Sequence, residues 1–225
     1  MTFNQVFNMS FEDFAKLSPA LLSLIPKDAL GAVQPGHISA LTTDQLAALN
    51  IADLSVYALG GLKPEQVEGL SLAALREMSP QVLRNIRTPT LKAMSDQQLQ
   101  MLSPDAMRDG FPNGRLANLK ERISAFTPTQ MASISPADFW LERSQMGCLQ
   151  LDVCAALTGP QLSKLTDRQL AVMHNDQLRA LKPSSMSGLS PKQFDEFNMF
   201  QRTIFTADQR GALKPEIMDK YGFES

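Results

Sequence analysis

Four side chains in this 225-residue sequence are of the types that do chemistry near neutral pH: His37, His174, Cys148 and Cys154. A histidine works as a general base, and a cysteine as nucleophile or metal ligand, only when partners converge on it. The cysteines stand six residues apart. On one continuous helix that spacing is about 9 Å along the axis and about 600° around it, so the thiols point to different faces. A Cys148–Cys154 disulfide therefore needs a break in the helix. Two semi-buried free thiols, that disulfide and a metal site all stay open, although no Cys/His cluster surrounds the pair for a metal. The acidic pair Asp195-Glu196 falls where the pattern below faces solvent. No glycine-rich phosphate loop, nucleophile elbow or zinc motif is present. The double glycine of "ALGGL" at 58–62 has a plain use as a wide corner.

What would position these residues is a repeat. "TGPQLSKLTDRQLAVMHNDQLRAL", from Thr158 to Leu181, states Gln-Leu-x-x-Leu three times at intervals of eight. The general octad is [Ser/Thr]-Pro-x-Gln-Leu-x-x-Leu. It runs in register through residues 2–57, 63–142 and 150–221, with the segments 58–62 and 143–149 read as inserts between blocks. Ser or Thr in first place is a helix N-cap, and proline suits the first helical position, where its missing N–H costs nothing. Gln in fourth place closes a capping box back onto the first residue. Positions five and eight, one helical turn apart on one face, are apolar nearly throughout. Arg115, Arg202 and Arg210 break position five, and Gly110, Asn118 and Glu142 break position eight. His37 stands in place of the Gln, His174 in place of the cap, and Cys154 at packing position five.

The octads cannot fuse into one helix. Eight residues turn the chain by about 800°, so the apolar stripe would drift about 80° per octad and bury nothing consistently. Each recurring proline would also cost about 3 kcal/mol inside such a helix. Alternation of period two, the strand signal, is absent. Two poorly capped stretches, "NGRLANLKERISAF" and "PADFWLERSQM", are expected to merge into longer helices. Helices of six or seven residues are too short to be stable alone, so neighbours must bury the five/eight faces together. The expectation is an all-α solenoid of short capped helices on an eight-residue repeat, forming a single domain over residues 1–225.

Composition sets limits on function. Lys plus Arg is 21 against 23 Asp plus Glu, a net charge of −2, with charges scattered along the chain. That gives no support to nucleic-acid binding. No apolar run approaches the about 18 residues of a membrane span, and the N-terminal "MTFNQVFNMSFEDF" lacks the basic start and apolar core of a secretory signal.

"LSPKQFDEF", "LKPEQVEGL" and "MSPQVLRNIRTPTLKAM" resemble the superhelical repeats of the mesothelin, otoancorin and stereocilin family, which uses Ser-Pro-x-x-Leu units at this spacing. "LTTDQLAAL", Leu41 to Leu49, also resembles repeats of large bacterial surface exoproteins. The animal family implies an extracellular or cell-surface protein that works by adhesion, without catalysis. In that setting "NMS" would permit an N-glycan on Asn8.

Function is expected where the repeat lapses. Three stretches qualify: Phe111 and Arg115 in "DGFPNGRL", Trp140 and Arg143 in "FWLERSQMGC", and Phe200 and Arg202 in "FNMFQRTIF". Aromatic residues beside arginine are favoured at interface hot spots. The leading expectation is a non-catalytic interaction solenoid with a protein partner and no cofactor, at a cell surface or outside the cell. The alternatives are an intracellular scaffold or a secreted bacterial effector or adhesin segment and, from a different class, an enzyme with its site on a concave face.

Overall fold

In the computed structural model, which describes residues 1–223, every regular element is helical. Octad 42–49 shows why. Thr42 Oγ1 accepts the Gln45 N–H at 3.3 Å, and Gln45 Oε1 accepts the Thr42 N–H at 2.8 Å. These two bonds start the helix Thr43–Ala47. Leu46 and Leu49 go to the core. Past the short turn Ile51–Asp53, the cap Ser55 takes extended backbone and turns the chain. Proline occupies the first turn of Pro19–Ser23, Pro80–Asn85, Pro104–Asp109, Pro128–Ser133 and Pro191–Asp195, as the cap pattern requires.

The chain groups into two compact units, one from Met1 to Gly110 and one from Phe111 onward. The sequence reading treats residues 1–225 as a single helical-repeat domain; the division falls inside "DGFPNGRL". Within each compact unit, helices pack three octads apart. In the first, Phe11–Ala15 packs on Pro35–Ala40, and Pro80–Asn85 on Pro104–Asp109. In the second, Pro128–Ser133 packs on Leu151–Ala156, which packs on Asn175–Ala180, and Pro183–Met186 packs on Ala207–Gly211.

Positions five and eight supply the core as expected, with Leu83, Leu91, Leu99, Leu162, Leu170 and Leu178 completely buried. The position-four glutamines from Gln45 onward are buried with them. These glutamines hold the octads together as well as capping them. While Oε1 closes the capping box, Nε2 donates to carbonyls four octads earlier: Gln98 to Val67 and Leu70, Gln193 to Leu162 and Leu165, Gln209 to Leu178 and Leu181. Those carbonyls lie at helix C-termini, where the helix runs short of donors: Val67, Leu162 and Leu178 each accept one N–H from the closing turn, and the glutamine supplies the further bond. The spacing is regularly 31 and 28 residues.

Among the departures from that spacing, two relocate the faults in the repeat. Gln66 reaches back only 28 and 25 residues, to Ile38 and Leu41. Three residues are therefore missing between, and they are missing at 50–54. Ser55 caps the helix Val56–Leu59 by accepting the Ala58 N–H, and Leu59 and Leu62 are buried. Residues 58–62 thus belong to octad 55–62 and are not an insert. Gln161 reaches back 30 and 27, to Met131 and Ile134, so one residue is missing at 135–141. The supposed insert 143–149 belongs to octad 142–149: Glu142 is the N-cap of Arg143–Cys148, and its N–H donates to Gln145 Oε1 at 2.7 Å.

Neither expected longer helix forms as a regular α-helix. Pro112–Ala125 is a 3-10 stretch broken at Asn113, Gly114 and Lys120, whose φ values of 56°, 73° and 49° lie in the left-handed region. Residues 135–141 form a turn followed by non-helical chain.

His37 shows what position four demands. Its Nδ1 accepts the Gln34 N–H at 3.0 Å and its Nε2 lies 3.0 Å from the Met9 carbonyl, 28 residues earlier, so the ring repeats both bonds of the glutamine. These roles fit the tautomer protonated on Nε2. The ring is fully buried against Phe11 and Phe14. His37→Ala is expected to cost about 2–4 kcal/mol from two lost bonds and lost packing. His37→Gln should cost less than about 1.5 kcal/mol. Urea unfolding compares the two, and equal losses would remove the equivalence with glutamine.

Close packing of octads also fixes one glycine. A Cβ on Gly188 would sit 2.0 Å from the Gly159 carbonyl oxygen, a backbone atom that cannot rotate away. Gly188→Ala is expected to lower stability by about 1–3 kcal/mol, the usual range for overpacking. An unchanged unfolding midpoint would show that the octads stand farther apart.

Candidate interaction site

The shortened segment 135–141 builds part of one wall of a cleft. Its backbone past Asp138 is non-helical, so side chains alternate. Phe139 and Leu141 turn inward at 3% and 1% exposure, while Trp140 between them is 49% exposed. The indole lies over Gly114, where a Cβ would stand 3.8 Å from the ring. The left-handed kink at Asn113–Gly114 thus makes room for the tryptophan, and any other residue at Gly114 would adopt its φ of 73° with strain.

One wall of the cleft is formed by residues 139–144, and Lys164, Thr166, Arg168 and Gln169 form the other, around about 480 Å³. Gln169 joins the walls, since its Nε2 donates to the Leu141 carbonyl and its Oε1 caps the Thr166 N–H. Three cations, Arg143, Lys164 and Arg168, line the cleft against one carboxylate, Glu142. Asp167 is turned to Lys192, with which it forms an ion pair at 3.3 Å. The cleft therefore offers a half-exposed aromatic ring with net positive charge. Such a surface can hold an apolar side chain flanked by acidic groups.

Of the six residues singled out from the sequence, Trp140 and Arg143 meet in this cleft. Phe111 is fully buried against Phe126, so it belongs to the core and not to an exposed face. Arg115 is half-buried, and burial pushes its guanidinium below the usual arginine range. Phe200 is 73% exposed, while Arg202 lines a separate cleft near the C-terminal helix. Lys164 and Arg168 went unnoticed because each stands in an ordinary octad. The signal for Arg168 is the three-octad packing period, which brings octads 142–149 and 166–173 together.

Asn8 is exposed at the end of the first helix, where its Nδ2 donates to the Asn4 carbonyl. Cys148 and Cys154 are free thiols on separate helices, Arg143–Cys148 and Leu151–Ala156. Cys148 and His174 line one open cleft with Glu121, a meeting that their sequence spacing did not suggest. Cys154 is completely buried, and burial, aided by the nearby Asp152 carboxylate, pushes its thiol up to about 12. Since the thiolate is the nucleophile, iodoacetamide at pH 8 is expected to label the native protein once, at Cys148, and twice in denaturant. Intact mass reads the count, and rapid double labelling of the native chain would contradict this burial.

Among the described residues no three His, Cys, Asp or Glu side chains gather as metal ligands, and no helix is long and apolar enough to cross a membrane. Comparison with models of known protein families and with curated proteins gives no match for the chain.

Proposed function

We propose that this protein is a non-catalytic helical-repeat solenoid that binds a protein partner through the Trp140–Arg143 cleft. The observation that carries the architecture is the glutamine ladder. Buried position-four amides tie their own caps to carbonyls about four octads back, so within each compact unit these turns rest on the ones before them. Contacts limited to neighbouring turns are what define a solenoid. The repeated polar residues are thereby occupied with structure, which leaves function to the places where the repeat lapses. At 135–141 a lapse exposes an aromatic side chain beside cations, the composition favoured at interface hot spots. The resemblance of the Ser-Pro-x-x-Leu octads to the mesothelin family favours adhesion at a cell surface as the setting.

Two experiments test the two parts. For the architecture, Gln209→Ala is followed by hydrogen exchange along the whole chain. A solenoid loses protection only in the octads one turn on either side, whereas an even loss through the compact unit would overturn the reading. For the site, proteins captured from the native source by the wild-type chain are compared with those captured by Trp140→Ala/Arg143→Ala. The reading requires at least one wild-type partner to be lost while the melting temperature holds. Identical capture would remove the cleft from the interface.

A further inference from the structure

Position five is filled by an apolar residue in every octad of the third block except two, 198–205 and 206–213, where Arg202 and Arg210 stand. Two guanidinium groups thus occupy places that elsewhere hold leucine, methionine, phenylalanine or cysteine. Their setting is built and not merely exposed. Arg202 lies over the Tyr221 ring at 4.8 Å and Arg210 over the Phe223 ring at 5.6 Å. One terminal nitrogen of each is anchored to backbone, Arg202 Nη2 to the Asp195 carbonyl and Arg210 Nη1 to the Phe205 carbonyl. Together with Met199 and Thr203 they line an open cleft of about 580 Å³.

Among the described residues no carboxylate side chain lines this cleft. Asp195, whose carbonyl anchors Arg202, has its carboxylate engaged elsewhere: Lys220 Nζ reaches its oxygens at 2.7 and 2.8 Å and the Tyr221 hydroxyl donates to it at 2.5 Å. Those bonds hold the Asp195 carboxyl below the usual carboxylate range, so it stays committed to them. Arg202 Nε is shielded from water and has no acceptor. Neither guanidinium forms a direct ion pair among the described residues, although the Asp195 carboxylate lies near enough to Arg202 to feel its charge. Partly desolvated cations without a direct partner are costly, and planar guanidinium groups match the geometry of carboxylate and phosphate oxygens.

We propose that the Arg202–Arg210 cleft is a binding site for an oxyanion, a carboxylate or phosphate group whose apolar attachment lies along Met199, Tyr221 and Phe223. The site uses none of the residues of the Trp140 cleft and stands independently of the function proposed for it.

The test uses the full chain and two probes, inorganic phosphate and benzoate, each against sodium chloride at matched ionic strength. Arg202→Met/Arg210→Met is the variant of choice, because methionine already fills position five at Met146 and Met186 and is fully buried there. Wild-type protein is expected to melt at a higher temperature with rising phosphate or benzoate, in a saturable way, and the double variant not to respond. A response to benzoate alone assigns the site to carboxylates with an aromatic attachment, and a response to phosphate alone assigns it to phosphate groups. Equal shifts in wild type and variant, or no shift beyond chloride in the wild type, would overturn the proposal. If the variant itself melts early, isothermal titration of the wild type at 25 °C decides, since absence of saturable heat with both probes is equally decisive.

Discussion

Gln161→Ala is expected to destabilise the protein by about 3–4 kcal/mol, an exceptional loss for removing a neutral polar side chain. The amide is completely buried. Its Oε1 accepts from the Thr158 N–H at 3.0 Å and from Thr158 Oγ1 at 3.1 Å, while Nε2 donates to Met131 and Ile134 at 2.8 and 2.9 Å. Each such bond is worth about 1 kcal/mol net, and truncation leaves the Thr158 N–H and the Ile134 carbonyl unsatisfied away from water, while the Met131 carbonyl keeps only the Ile134 N–H at 3.3 Å. Gln5 is the control within the same chain. It makes the same capping box with Thr2, at 2.7 Å, but is exposed. Gln5→Ala should therefore cost less than about 1 kcal/mol, as an ordinary cap does. Urea unfolding followed by circular dichroism measures both. Similar small losses would mean that the glutamines only cap.

Leu178→Ala should cost about 2–5 kcal/mol, because Leu178 sits at packing position five with no exposed surface and truncation leaves a cavity. Ser190→Ala, which removes the cap that accepts the Gln193 N–H at 3.2 Å, should cost about 1 kcal/mol. The ordering is the prediction. A cap lies at the periphery, where water can replace the lost bond, whereas a void at position five lies between packed octads and stays empty. Equal and negligible effects from the two substitutions would sink the octad scheme itself.

The sequence by itself determined what is local. Helix starts follow from Ser or Thr with Pro and Gln at fixed offsets, and these bonds close within four residues, so the pattern states them directly. The apolar face follows likewise from positions five and eight. Trp140 and Arg143 were legible as a lapse in the repeat, and Arg202 and Arg210 as charges at a packing position. Tertiary structure decided what depends on residues about thirty apart. It made position four the link between octads, since the acceptors of Gln161 and Gln177 are backbone carbonyls, which carry no residue signature. It moved the faults to 50–54 and 135–141, because an octad is defined by what it packs on and not by where an apolar tally slips. It sent Phe111 inward, although the surrounding residues read as a surface turn. It brought Arg168 to Trp140, because helices pack three octads apart and a side chain's neighbours across that distance are set by the stacking of the turns.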